Sequence, residues 1–211
     1  MKRKVLFLII FVSVILYAFG NMAYSFFNVG IITDDVLNVS VSFPGGNLPV
    51  FTASSDENIS LIVTDADMLV TSENTPAATK RGSVNIYLDG TNVEENSSVT
   101  CTFDLVYEDI EGNSYNKYVP SPAAKANNLL EYGISIIEED GTVVLKETSV
   151  DSFKAGDSMV KGLSVSTTEN TINKKYIVIA TIYNLNVEQN IKNKKYGFKI
   201  KTTNVECQVT K

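Results

Sequence analysis

Any chemistry this chain performs has to be built without imidazole. Its 211 residues include no histidine and no tryptophan, two cysteines and 24 aspartates and glutamates. The Ser-His-Asp and Cys-His nucleophile systems need an imidazole base, and the usual zinc hydrolase sites need histidine ligands. A carboxylate pair or a serine–lysine dyad stays chemically open. No spacing in the chain singles out either one, and enzymatic activity is not expected.

The two cysteines, Cys101 and Cys207, share alternation phases with Phe103 and Leu105 and with Val205 and Val209. Both thiols are therefore expected to point inward, on strands far apart in sequence. Outside the cytoplasm a disulfide is the expectation, worth ~4–5 kcal/mol for so long a loop; two unpaired buried thiols are the alternative. Carboxylates cluster at Asp34-Asp35, Asp56-Glu57, Asp65 with Asp67, Glu108-Asp109 with Glu111, and Glu138-Glu139-Asp140. Calcium needs several oxygens converging from loops, and Asp65 and Asp67 would be the first pair to consider. No Asp-x-Asp-x-Asp-Gly run is present, so turn formation is the expected role and no cofactor is predicted. Tyr115, Tyr118, Tyr132 and Tyr183 could line a sugar platform; tyrosines at strand edges more often serve the structure.

The elements that would position these groups begin with an export segment. Lys2, Arg3 and Lys4 precede an apolar run over residues 5–19 broken only by Ser13. A basic n-region, an apolar h-region and spaced small residues define a secretory signal. Ala23-Tyr24-Ser25 places cleavage before Phe26; Ala18-Phe19-Gly20 would place it before Asn21. The division expected is a signal peptide at 1–25, an N-terminal arm at 26–34 and one domain at 35–211. If uncleaved, residues 5–27 would serve as a membrane anchor, the chain's sole membrane contact. The full chain carries a net charge of −6, and loss of Lys2, Arg3 and Lys4 makes the exported part more acidic. Such a surface repels nucleic acid. The lysines at 192, 194, 195, 199 and 201 are expected on a solvated face.

Short alternating segments fill the rest. Residues 36–43, 59–64, 83–88, 99–107, 134–138, 142–146 and 159–167 read as strands, with a possible hairpin return at 115–119. Residues 65–81, containing Pro76, read as a polar connection. Residues 176–185 are apolar on both faces and suit a central strand. Residues 196–209 form one long strand whose phase shift near Asn204 suggests a bulge. The single helix candidate is 122–132, with Ser121 as N-cap, Pro122 at N1 and Gly133 after its end. With turn residues between short strands and no βα alternation, the fold class is all-β: a two-sheet antiparallel β-sandwich of jelly-roll or immunoglobulin-like kind.

The arm, Phe26, Phe27, Val29, Ile31 and Ile32, is a candidate assembly segment. An extended apolar end can add as a strand to a neighbour's open sheet edge, and repeated head to tail the contact makes a filament. In the alternative, residues 36–43 are an ordinary edge strand of their own sandwich.

The junction Tyr24-Ser25-Phe26-Phe27-Asn28 behind a Lys-rich signal resembles that of the TasA/camelysin family of Gram-positive bacteria. So do Val99-Thr100-Cys101-Thr102-Phe103 and the closing pattern Thr181-Ile182-Tyr183-Asn184-Leu185, Gln189 and Val205-Glu206-Cys207. The resemblance implies export, processing by a SipW-type signal peptidase, a jelly-roll fold and self-association into biofilm-matrix fibres by donor-strand exchange. Metalloprotease activity ascribed to some family members is not carried over, since histidine and a zincin motif are lacking. A monomeric extracellular module binding glycan or protein is the competing expectation. Either way the location expected is secreted or at the cell surface.

Overall fold

The computed structural model describes residues 39–41, 50–55, 58–65, 67–68, 74–93, 95–110 and 114–210. They form a two-sheet antiparallel β-sandwich. The strands are β1 (Val39–Val41), β2 (Val50–Ser55), β3 (Ile59–Val63), β4 (Thr75–Asp89), β5 (Ser98–Asp109), β6 (Tyr132–Glu138), β7 (Val143–Ser149), β8 (Ser158–Thr167), β9 (Thr171–Asn184) and β10 (Lys194–Thr210). One sheet has the order β1-β2-β4-β9-β6-β7 and the other β3-β10-β5-β8. Apart from the pairs β1-β2 and β6-β7, each successive strand crosses to the opposite sheet, which is a jelly-roll-like winding.

Alternation explains the strands. Along β5, Val99, Cys101, Phe103, Leu105 and Tyr107 are buried, while Thr100, Thr102 and Asp104 face outward. Each large apolar side chain so buried contributes about 1.5–3 kcal/mol. Phe51 of the first sheet packs on Phe103 of the second at 5.6 Å, and Phe103 meets Tyr176 edge-on at 6.0 Å, so aromatic contacts join the two layers. Strand β10 buries Tyr196, Phe198, Ile200 and Thr202, and then Val205 and Cys207. The change from even to odd positions needs one extra residue, supplied at Asn204, whose φ is 51°. The register against β5 shifts between Thr203 and Glu206. Asparagine tolerates this left-handed conformation better than most residues, so the expected bulge is present.

Strand β9 sits inside its sheet between β4 and β6, as its sequence suggests. It is not fully buried on both faces: Tyr176, Val178, Ala180 and Ile182 enter the core, while Ile177 and Ile179 are half-buried on the outer face. Strand β4 begins at Thr75, well inside the stretch expected to be a connection. Pro76 is accommodated because the ladder to β9 shifts register between Pro76 and Ala78. On its other side, β2 pairs only with residues 84–89 of β4, so no described ladder asks the proline for an N–H.

Three further expectations are corrected. The helix, α1, covers only Pro122–Ala126, because Tyr132 and Gly133 join β6 beside β9. Ser121 makes no side-chain cap; its hydroxyl instead accepts from the backbone N–H of Asn190 at 2.6 Å. Residues 115–119 form no strand and run as a loop tied to β10, Asn116 N–H donating to the Lys195 carbonyl at 2.7 Å. The hairpin turn at Glu139-Asp140-Gly141 forms as its sequence indicates, with Gly141 at φ 92° and Asp140 Oδ1 accepting from Thr142 N–H. Among the described residues no helix is long and apolar enough to cross a membrane. Residues 1–25, read in the sequence as an export signal, lie outside them.

Candidate functional site: a tyrosine-lined cavity and an open strand edge

The arm residues Phe26, Phe27, Val29, Ile31 and Ile32 also lie outside the described residues. Of the segment 36–43, residues 39–41 are strand β1, at the edge of the six-stranded sheet. Asp67 closes a local turn, its Oδ2 accepting from Thr64 N–H at 2.8 Å and Thr64 Oγ1 at 2.6 Å. Those two bonds hold its carboxyl below the usual aspartate range. Asp65 instead accepts from Asn193 Nδ2 at 3.2 Å. Among the described residues no group of three or more acidic or cysteine side chains gathers as metal ligands would.

Cys101 and Cys207 are joined in a disulfide, across neighbouring strands of one sheet. Their Cα atoms are 4.0 Å apart, the close spacing of a non-hydrogen-bonded antiparallel pair. It follows that the backbone N–H and C=O of Cys207, and of Val209 two residues on, point away from β5. On that far side β10 pairs with β3 only through residues 194–198. Among the described residues, no strand forms a ladder with residues 199–210 on that side. Along residues 199–210 about every second residue therefore directs its N–H and C=O to that side, over a floor that includes Ile200, Val205 and Cys207.

At one end of the sandwich the tyrosines gather. Tyr118, Tyr132 and Tyr196 form a triangle with ring centroids 5.1, 5.6 and 5.8 Å apart. They border a cavity of about 180 Å³ that also reaches Tyr107, Val150 and Gly197. Its mouth is made by Asp109, Ile110, Tyr115, Asn116 and Lys117. Gly197 allows this close approach: a Cβ would stand 2.7 Å from Tyr115 Cε1 and 2.8 Å from Ile110 Cδ1, and those side chains would have to shift. Lys195 lies over the Tyr115 ring at 4.2 Å and holds that wall from outside.

The Tyr132 side chain is 1% exposed, and its hydroxyl has no hydrogen-bond partner among the described residues. Burial raises its phenol far above the ordinary value. Burial also raises Tyr118, helped by the Glu131 charge, and Tyr107, helped by Asp109. Tyr196 is pushed up to about 12 by burial and by Glu131. These four phenols are thus neutral throughout the physiological range.

A buried carboxylate anchors the loop that walls this cavity. Glu131 is 1% exposed. Its Oε2 accepts from Tyr118 OH at 3.1 Å and Ser121 N–H at 2.9 Å, and its Oε1 from Gln189 Nε2 at 3.1 Å. Gln189 in turn donates to the Tyr183 carbonyl at 2.9 Å and accepts from Leu185 N–H at 2.7 Å. Buried polar groups demand such satisfaction, and here it fixes the position of Tyr118.

Of the four tyrosines singled out in the sequence, Tyr115, Tyr118 and Tyr132 meet at this cavity. Tyr183 does not: its hydroxyl donates to the Glu147 carboxylate at 2.7 and 2.8 Å. Tyr107 and Tyr196 complete the set. Their inward phase is readable, but their meeting depends on the β5–β10 pairing, which no local pattern encodes.

No family model matches the chain, and no curated protein matches it. Solved structures that resemble it include the infectious bursal disease virus VP2 subviral particle, at a TM-score of 0.23 and 14% identity over 86% of this chain and 37% of that one. A mutant VP2 protein of the same virus, in derived T=1 particles, gives 0.23 and 13% over 86% and 36%. The chain spans little more than a third of those proteins, and likeness at this level carries no argument about function.

Proposed function

We propose that this chain is an exported, non-enzymatic structural protein of the TasA/camelysin kind. Cleaved before Phe26, it would assemble into cell-surface or matrix fibres by donating its N-terminal arm to the next copy. The observation that carries this reading is that, among the described residues, no strand pairs with the outer side of β10 at residues 199–210. An incoming strand there would find backbone partners along its whole length and an apolar floor beneath it, the requirements of strand addition. The arm suits that slot: Phe27, Val29 and Ile31 share one apolar face for the floor, while Asn28 and Gly30 lie on the other between Phe26 and Ile32.

Size-exclusion chromatography and negative-stain microscopy on residues 26–211 beside residues 35–211 test it. Filaments from the longer chain alone are expected. Monomers from both would remove strand donation as the assembly mechanism.

A further inference from the structure

We propose that in the monomer the stretch of β10 beyond β3 is covered by the same chain's own arm, residues 26–34, and that assembly exchanges this arm between copies. The exchange rests on the fibre reading; the closed monomer names the resting occupant of that same site. The course of the chain on this flank points to it. Strand β1 pairs antiparallel with β2, Val39 opposite Ala53, so the chain enters β1 at the end from which β2 departs. After Ser55, residues 56–58 lead across to the other sheet, where Ile59 opens β3 opposite Phe198. Lys199 is the first residue of β10 that β3 leaves unpaired. The arm therefore joins the fold close to where the unpaired stretch of β10 begins.

Length and charge agree with this path. Packed sheets lie ~10 Å apart. Residues 56–58 cross that gap between β2 and β3, and residues 35–38 are available to cross it before β1. Reading back from Val39 then takes the arm from the Phe198 end of β10 towards Thr210, antiparallel to β10 and in line with β3. At ~3.4 Å per residue, residues 26–34 extend over ~30 Å and reach from Lys199 to about Cys207. This direction sets Asp34 beside Lys199 and Lys201, which are half-buried on the outer face, and the amino group freed at Phe26 near the exposed Glu206. Lys201 also meets Glu108 at 3.8 Å. A parallel arm would reverse both charge matches. A tethered strand acts at an effective concentration in the millimolar range, so an incoming arm has to displace the resident one, and the closed monomer restrains assembly. Exchange then replaces each contact by its like, as in domain swapping.

The test is amide hydrogen exchange at Cys207, whose N–H points away from β5, in dilute, filament-free residues 26–211 beside residues 35–211. The shorter chain keeps every described residue. Exchange at Cys207 is expected to be at least tenfold slower in the longer chain and unchanged on further dilution. A synthetic peptide of residues 26–34 is expected to bind the shorter chain and to bind the longer one at least tenfold more weakly. Equal exchange at Cys207 in the two chains would overturn the closed monomer, as would peptide binding that is alike for both or absent from both. Filaments formed by such an unclosed chain would leave donation between copies standing. Slow exchange in a longer chain that never forms filaments would support the closure and remove the fibre reading instead.

Discussion

Asn204 Nδ2 donates to Asp104 Oδ2 at 2.9 Å, so the residue that makes the β10 bulge is held by the strand it bulges against. The same carboxylate accepts from Gly162 N–H at 2.9 Å and Ser158 Oγ at 3.1 Å. Gly162 has φ 64°, in β8 where that strand's own ladder to β5 is irregular. One aspartate on the middle strand therefore secures irregularities in both of its neighbours.

Asp104 makes stability fall in acid. Partial burial would raise its carboxyl, but the bonds from Asn204, Gly162 and Ser158, with the nearby Lys161 charge, outweigh that and hold it below the ordinary range. With the folded pKa below the unfolded one, the stabilisation is complete above about pH 4 and is lost as pH falls through the folded value. Asp104→Asn should cost about 1–2 kcal/mol near neutrality. Urea midpoints at about pH 6 and about pH 2.5 should show the wild-type advantage over the variant shrinking in acid. An advantage that stays constant would exclude this role.

The disulfide closes a sequence separation of 106 residues. Replacing Cys101 and Cys207 together by alanine should lower stability by ~4–5 kcal/mol in the chain-entropy model, measured by chemical denaturation. Because both residues are buried, the disulfide should become reducible only as the protein opens. Rapid reduction under native conditions would contradict the buried clip.

Glu131→Leu removes the acceptor of Tyr118 OH, Ser121 N–H and Gln189 Nε2. Leaving those donors unpaired should cost about 3 kcal/mol. A double-mutant cycle with Gln189→Leu should show strong coupling, since the second change removes one orphaned donor. Additive effects would mean the two side chains act separately.

Along residues 199–210, proline distinguishes the two sides of β10. Val209 N–H points away from β5, so Val209→Pro should leave the fold within about 1 kcal/mol of wild type while blocking strand addition. Gln208→Pro removes an N–H directed at β5 and should destabilise the monomer itself. Thermal melts read the first effect and filament counts the second; normal filaments from Val209→Pro would rule out pairing at that position.

Much of this architecture is legible in the chain. Phase alone locates the inward residues of β5, and the change of phase around Asn204 announces the bulge. Local signals mislead where tertiary context decides. Pro76 reads as a connection because a missing N–H matters only if a neighbour needs it, and β2 ends too soon to ask. Ser121, Pro122 and Gly133 suggest a longer helix, yet β9 offers residues 132–138 a ladder that outweighs helix propensity. The cavity is half legible: Tyr115, Tyr118 and Tyr132 stand out as aromatic. Glu131 and Gln189 look like ordinary surface polar residues, because satisfaction of a buried carboxylate comes from loops distant in sequence.

Placing the covalent clip between two neighbouring strands has a mechanical consequence. In the fibre proposed here, tension along the axis would reach each subunit through the strand seated beside residues 199–210, loading β10 in shear. The bond at Cys207 would pass that load directly to β5, in the middle of its sheet. Pulling would then be resisted at that point by a covalent bond.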